Sequence, residues 1–210
     1  MLSVKDYKKE YKSLYLPKTK PVLIDVPEMQ FVAVAGKGNP NDENGEFSAA
    51  IKILYAIQYT IKMSKMKSNT PQGYFDYVVP PLEGFWTLEN KKDVKDKSKF
   101  IWTAVIRLPE FVNEQIFIWA CNEATINKNV DTQKAKYLKI KEGLCVQCMH
   151  IGSFDDEPKT VAEMEKYMEE NNLVNDIGKE RHHHEIYLSD FRKTAQEKLK
   201  TVLRIPVKKR

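Results

Sequence analysis

Cysteine is scarce in this chain. The 210 residues hold three, an odd number and too few for a disulfide framework. A reducing cytoplasm is therefore the expected compartment. No stretch approaches the run of about 18 apolar residues that a membrane helix needs, and the N-terminus lacks the apolar segment of a secretory signal. Glycine (8) and proline (10) are present at ordinary levels, with no low-complexity tract. The net charge of +5 is modest, and its lysines are scattered apart from short runs at Lys8-Lys9, Lys91-Lys92 and Lys208-Lys209-Arg210. Nucleic-acid surfaces gather such charge into a stripe or patch, so no direct nucleic-acid contact and no membrane contact are expected.

Several sequence motifs are missing too. Gly36 and Gly38 do not open a phosphate-binding loop, since Asn41 stands where a third glycine belongs. No G-x-S-x-G elbow for a serine nucleophile occurs. What is present is a hydrophobic content of 42%, ample for a core.

Periodicity outlines the elements. Residues 3–14 suit a short basic helix, and Pro17, Pro21 and Pro27 enforce an extended arm. Phe31–Ala35 reads as a strand. Phe47, Ala50, Ile51, Leu54, Ile57 and Ile61 recur at helical spacing. Phe75–Val79 reads as a strand, Trp86 as part of the loop after it, 91–99 as a hairpin tip and Phe100–Leu108 as a further strand. A helix over 110–126, opened by Pro109, is apolar on more than one side. Residues 127–143 read as polar and partly loop. Leu144–Ile151, a helix after Asp155-Asp-Glu-Pro158, His184–Leu188 and Thr201–Val207 complete a second set. The expected fold is α+β: an arm over 1–27, then a domain over 28–207 made of β-α-β-β modules at 28–109 and 127–207, joined by helix 110–126.

Cys145 and Cys148 form a C-x-x-C, but their odd spacing on a strand sends them to opposite faces. His182, His183 and His184 alternate in the same way and do not converge on one ion, so no metal and no cofactor are expected. The informative segment is Glu185-Ile-Tyr-Leu-Ser-Asp190, where alternation puts Glu185 and Tyr187 on one face. A carboxylate and a phenol two residues apart can meet one ligand. Trp86, Trp102, Trp119 and Tyr55 are the aromatic candidates for its surroundings, against a background role in core packing.

Four segments carry a resemblance: Pro81-Leu-Glu-Gly-Phe-Trp86; Gly143-Leu-Cys-Val-Gln with His150-Ile-Gly-Ser-Phe-Asp-Asp-Glu-Pro158; His183-His-Glu-Ile-Tyr-Leu-Ser-Asp190; and the tail Glu197–Val207. Across about 15–207 the chain resembles the stand-alone GyrI-like small-molecule-binding proteins. The resemblance implies antiparallel β-α-β-β modules related by a pseudo-twofold, with a central ligand cleft. The effector-binding domains of multidrug-responsive transcription regulators are similar. There a buried glutamate, matching Glu185, meets hydrophobic, aromatic and often cationic drugs. Some stand-alone members are hydrolases that detoxify cyclopropanoid genotoxins. By that likeness Glu185 would activate a water, Tyr187 or Tyr55 would hydrogen-bond the carbonyl that gains charge, and the tryptophans would sandwich the flat substrate. A non-catalytic drug-sequestering role and a topoisomerase-inhibitory one are the alternatives. Members often carry a second tryptophan where Thr87 stands here, and proline where Phe191 stands, a change expected to touch only a turn. No helix-turn-helix precedes the domain, so direct transcription control is not expected; a monomer or weak homodimer is.

Overall fold

A computed structural model describes residues 4–66, 70–88 and 96–210. The part of the lysine-rich segment over 91–95 lies outside the described residues. Helices and antiparallel strands alternate in an α+β chain. Two compact units emerge, each built from separate stretches of sequence. The first gathers Met1–Glu10, Met29–Pro80 and Thr87–Ile140; the second gathers Tyr11–Glu28, Pro81–Trp86 and Lys141–Arg210.

In the first unit, strand β1 (Val22–Lys37) contributes its C-terminal half, which pairs antiparallel with β3 (Phe100–Arg107), Phe31 opposite Arg107. Helix α3 (Glu46–Met63) packs on β3 through Phe47, Ala50, Leu54, Ile57 and Ile61, the residues its 3.6-residue spacing selects. Helix α4 (Glu114–Lys128) lies along α3. It starts later than expected because a turn follows Pro109, and Asn113 caps it, its side chain accepting from the Ile116 N–H at 2.9 Å. The two-sided burial expected of this helix is not found within the unit. Phe117, Ala120 and Ala124 form one buried stripe, while Ile118 and Ile126 are exposed. The expected basic helix near the start is two single turns, α1 (Tyr7–Glu10) and α2 (Lys12–Tyr15), of which α1 belongs to this unit.

Phe75–Val79 is not a strand. Among the described residues its one ladder contact is a parallel bridge from Tyr77 to Lys5, and Tyr77 places its ring in the core. An apolar run without a neighbouring strand has no ladder to join, and Pro80 and Pro81 withhold two donors.

In the second unit, the segment read as a loop is strand β2 (Leu82–Leu88), five of whose residues pair with β6 (His183–Tyr187). β6 pairs with β7 (Lys200–Lys209), and β7 with the end of β4 (Ala135–Ile151), all antiparallel. β4 starts within the stretch expected to be loop. A short β5 (Leu173–Asn175) adds to the far end of β7. Helix α5 (Glu157–Glu170) covers one face of this sheet, with Met164 and Met168 set into Val146, Cys148, Leu203, Ile205 and Val207. Among the described residues no helix is long and apolar enough to cross a membrane.

Candidate functional site

The pleat of β6 sorts its residues between two unlike environments. Opposed residues of paired antiparallel strands share a face. Gly84 is opposite Glu185, and Trp86 is opposite His183. Glu185 and Leu203, and Leu203 and Cys148, are opposed in turn, so Glu185 lies on the face covered by α5.

On that face a chain of hydrogen bonds ends at the carboxylate. The Trp86 indole N–H donates to Tyr187 Oη at 3.0 Å, and the Tyr187 hydroxyl donates to Glu185 Oε2 at 2.7 Å. The other carboxylate oxygen, Oε1, faces His183 Nε2 at 3.4 Å. Glycine at 84 makes this possible. A Cβ there would come 2.7 Å from the indole nitrogen and 3.2 Å from the Tyr187 oxygen, so the indole folds back over a bare backbone. Burial, the charge of Glu185 and its hydrogen bond, and the charge of Glu157 together push the Tyr187 phenol well above its ordinary value. Tyr187 is thus held as the neutral phenol and donates its hydrogen bond to Glu185. Its ring packs edge-on against Phe154 and Phe191, with centroids 5.9 and 6.1 Å away. Phe191 therefore does more than alter a turn: it walls Tyr187. Periodicity marks neither phenylalanine as a partner of Tyr187, because both sit in short segments between the regular elements.

Glu157, the first residue of α5, closes the group: one donor atom each of Glu157, His183 and Glu185 lie within 4.8 Å of one another.

The opposite face of the same strands holds a buried ion network. His184 Nδ1 is 3.0 Å from Glu142 Oε2, and its Nε2 is 3.0 Å from Glu83 Oε2, off the line of a well-formed hydrogen bond. Arg204 donates to Glu142 at 2.9 Å, to Gln147 at 3.0 Å and to the Leu14 carbonyl. Phe85 stacks on the His184 ring at 4.0 Å. Desolvation works against charge here, but His184 and Arg204 outweigh it and hold Glu142 down to about 2. Burial likewise opposes protonation of His184, yet Glu142 and Glu83 raise it above the ordinary histidine value. Sequence reasoning missed this network because its members come from five separate segments.

The remaining candidates lie in the first unit. Trp102 is 2% exposed, edge-on to Phe47 at 5.0 Å, and its ring fills the space above Gly36. Tyr55 stacks on Tyr59 at 6.2 Å. Trp119 is half-buried on α4. The structure thus brings Glu185, Tyr187 and Trp86 together in one unit and sets Tyr55, Trp102 and Trp119 on elements of the other. Cys145 and Cys148 are both buried, and desolvation pushes their thiols up to about 12 and about 11, so neither is a ready nucleophile.

The sequence profile of the GyrI-like small-molecule-binding domain matches residues 19–208. The chain belongs to that family. Among solved structures, this GyrI-like chain is 49% identical to a hydrolase from Listeria innocua, covering 97% of this chain and 100% of that one with a TM-score of 0.90. It is 52% identical to an uncharacterized conserved protein from Listeria innocua, with 97% and 100% covered and a TM-score of 0.92. The C-terminal domain of EcmrR shares the fold at 15% identity, with 91% and 98% covered and a TM-score of 0.53. No match was found among curated proteins.

Proposed function

We propose that this GyrI-like domain takes up flat, hydrophobic aromatic molecules beside Glu185 and hydrolyses cyclopropanoid ones by water that Glu185 activates. The observation that carries the reading is the hydrogen-bond chain from Trp86 through Tyr187 to Glu185. A base needs a fixed orientation and a free lone pair. Tyr187 occupies Oε2 and leaves Oε1 to take a proton. The water oxygen then bonds to a cyclopropane carbon, the strained C–C bond breaks, its electron pair flows into the conjugated carbonyl as an enolate, and the enolate takes up a proton as Glu185 releases its own, which restores the base. Because its hydroxyl already donates a hydrogen bond to Glu185, Tyr187 acts as a positioning residue, and the carbonyl takes its hydrogen bond from another donor. Trp86, Phe154 and Phe191 supply aromatic surface. The description of one Listeria relative as a hydrolase agrees with the reading.

The test is ring opening of a cyclopropanoid followed by product analysis, in the wild type and in Glu185→Gln. Loss of a general base lowers turnover by about 10²–10⁴-fold. Turnover unchanged in the variant would remove Glu185 from the chemistry. Saturable binding with no product in the wild type would leave a receptor.

A further inference from the structure

The run His182-His183-His184 does not converge on an ion, since His184 is turned into the ion network on the opposite face. The pleat instead gives His183 two different companions. Glu185 is on the same face of β6, and Glu157 opens the helix that covers it. We propose that Glu157, His183 and Glu185 form a binding site for one transition-metal dication of the Zn²⁺ type.

Distance comes first. At bonds of about 2.1 Å, tetrahedral ligands lie about 3.4 Å apart. His183 Nε2 and Glu185 Oε1 already stand at 3.4 Å. The whole set lies within 4.8 Å, so the outermost donor moves inward by at most about 1.4 Å, a rotation within reach of a glutamate side chain. Three protein ligands leave a fourth position for water.

The orientation of the donors agrees. The Tyr187 hydroxyl holds Oε2 of Glu185, so Oε1 is the oxygen turned toward His183, and Trp86 holds Tyr187 in turn. Metal-binding carboxylates are commonly fixed by such outer partners. Charge agrees as well. Two carboxylates and one imidazole sit together in a partly buried place, where like charges repel more strongly than in water. A dication relieves that repulsion. An imidazole with two carboxylates favours Zn²⁺, Mn²⁺ or Co²⁺ over Mg²⁺, which prefers oxygen and keeps its water.

This inference does not rest on the hydrolytic reading, although the two share Glu185. The experiment uses the full, tag-free chain stripped with chelator. Zn²⁺ uptake is measured by equilibrium dialysis with metal analysis, and Co²⁺ is added to record visible bands of a nitrogen–oxygen site. One Zn²⁺ per chain is expected, with Mg²⁺ failing to compete. His183→Ala and Glu157→Gln should each weaken uptake at least tenfold, and Tyr187→Phe by about tenfold. Glu170→Gln, at the far end of α5, should change nothing. Circular dichroism of each variant confirms that it is folded. No stoichiometric uptake, or uptake that the first two variants alter less than twofold, overturns the site. Stripped protein that opens a cyclopropanoid yet takes up no Zn²⁺ overturns the metal site and leaves the hydrolytic reading standing. Zn²⁺ uptake by a protein that neither binds nor opens a cyclopropanoid supports the site and removes that reading.

Discussion

Replacing Gly84 with alanine tests the geometry around Glu185 at the position where it is tightest. Gly84 lies in a regular strand, and its backbone does not require glycine, so any cost is steric. An alanine Cβ would lie 2.7 Å from Trp86 Nε1 and 3.1 Å from Cε2, against an ordinary contact that starts at 3.4 Å. The indole must retreat by about 0.7 Å. Its bond to Tyr187 starts at 3.0 Å, so a retreat of that size along the bond carries it past hydrogen-bonding range. Overpacking costs about 1–3 kcal/mol, and the lost hydrogen bond about 0.5–1.5 kcal/mol. Alanine offsets about 0.4–1 kcal/mol by restricting the unfolded chain. The net is a destabilisation of about 0.5–4 kcal/mol, read as a lower urea midpoint with an unchanged slope.

A double-mutant cycle makes the argument decisive. In a Trp86→Ala background the clashing ring is gone, and Gly84→Ala should turn from destabilising to neutral or slightly stabilising. Weaker binding of an aromatic ligand should accompany the single variant but not be deepened by it in the Trp86→Ala background. If Gly84→Ala costs the same in both backgrounds, the indole is not what glycine makes room for, and the account of the Trp86–Tyr187–Glu185 chain fails.

Three further outcomes follow from the buried groups. His184 is raised by its carboxylates, so the stability it contributes is present below its unfolded value of 6.5 and is lost as pH rises through the folded one; Glu142, lowered from 4.5 to about 2, contributes above 4.5 and loses that as pH falls toward 2. Urea midpoints should therefore be highest between those unfolded values, and His184→Gln should flatten the alkaline limb. Arg204→Met leaves Glu142 buried with one cation fewer and should cost about 3–5 kcal/mol in chemical denaturation. Trp102→Ala empties a core position under Phe47 and should cost about 3–5 kcal/mol in the same assay.

The parts legible in the sequence are those that periodicity alone determines. The apolar stripe of α3 is buried at Phe47, Ala50, Leu54, Ile57 and Ile61, with Ile51 half-buried, while Ala56 and Thr60 on the other side are buried too and carry no such signal. Glu185 and Tyr187 are two apart on a strand, and they do share a hydrogen bond. Pairing partners are not local, and there the reading falters. Trp86 looks like a loop residue until β6 is set beside it, while Phe75–Val79 looks like a strand but, among the described residues, finds only the single bridge from Tyr77 to Lys5. Phe154 and Phe191 reach Tyr187 from short segments that no period marks.

The H-H-H-E run shows most clearly what a pleat adds to a sequence. Alternation puts neighbouring histidines on opposite faces, but it does not say what each one meets there. His184 turns into a network with Glu83, Glu142 and Arg204, where burial makes its proton part of the fold's stability. His183 and Glu185 turn the other way, toward Glu157 and the Tyr187 hydroxyl, where one carboxylate oxygen remains for a proton or a metal. Neighbours in sequence thus serve different ends because one peptide step changes the face. A substitution at His184 should therefore be read in denaturation curves, and one at His183 in metal uptake. Exchange of those two signatures would mean that the register of β6 against β2 is wrong by one residue.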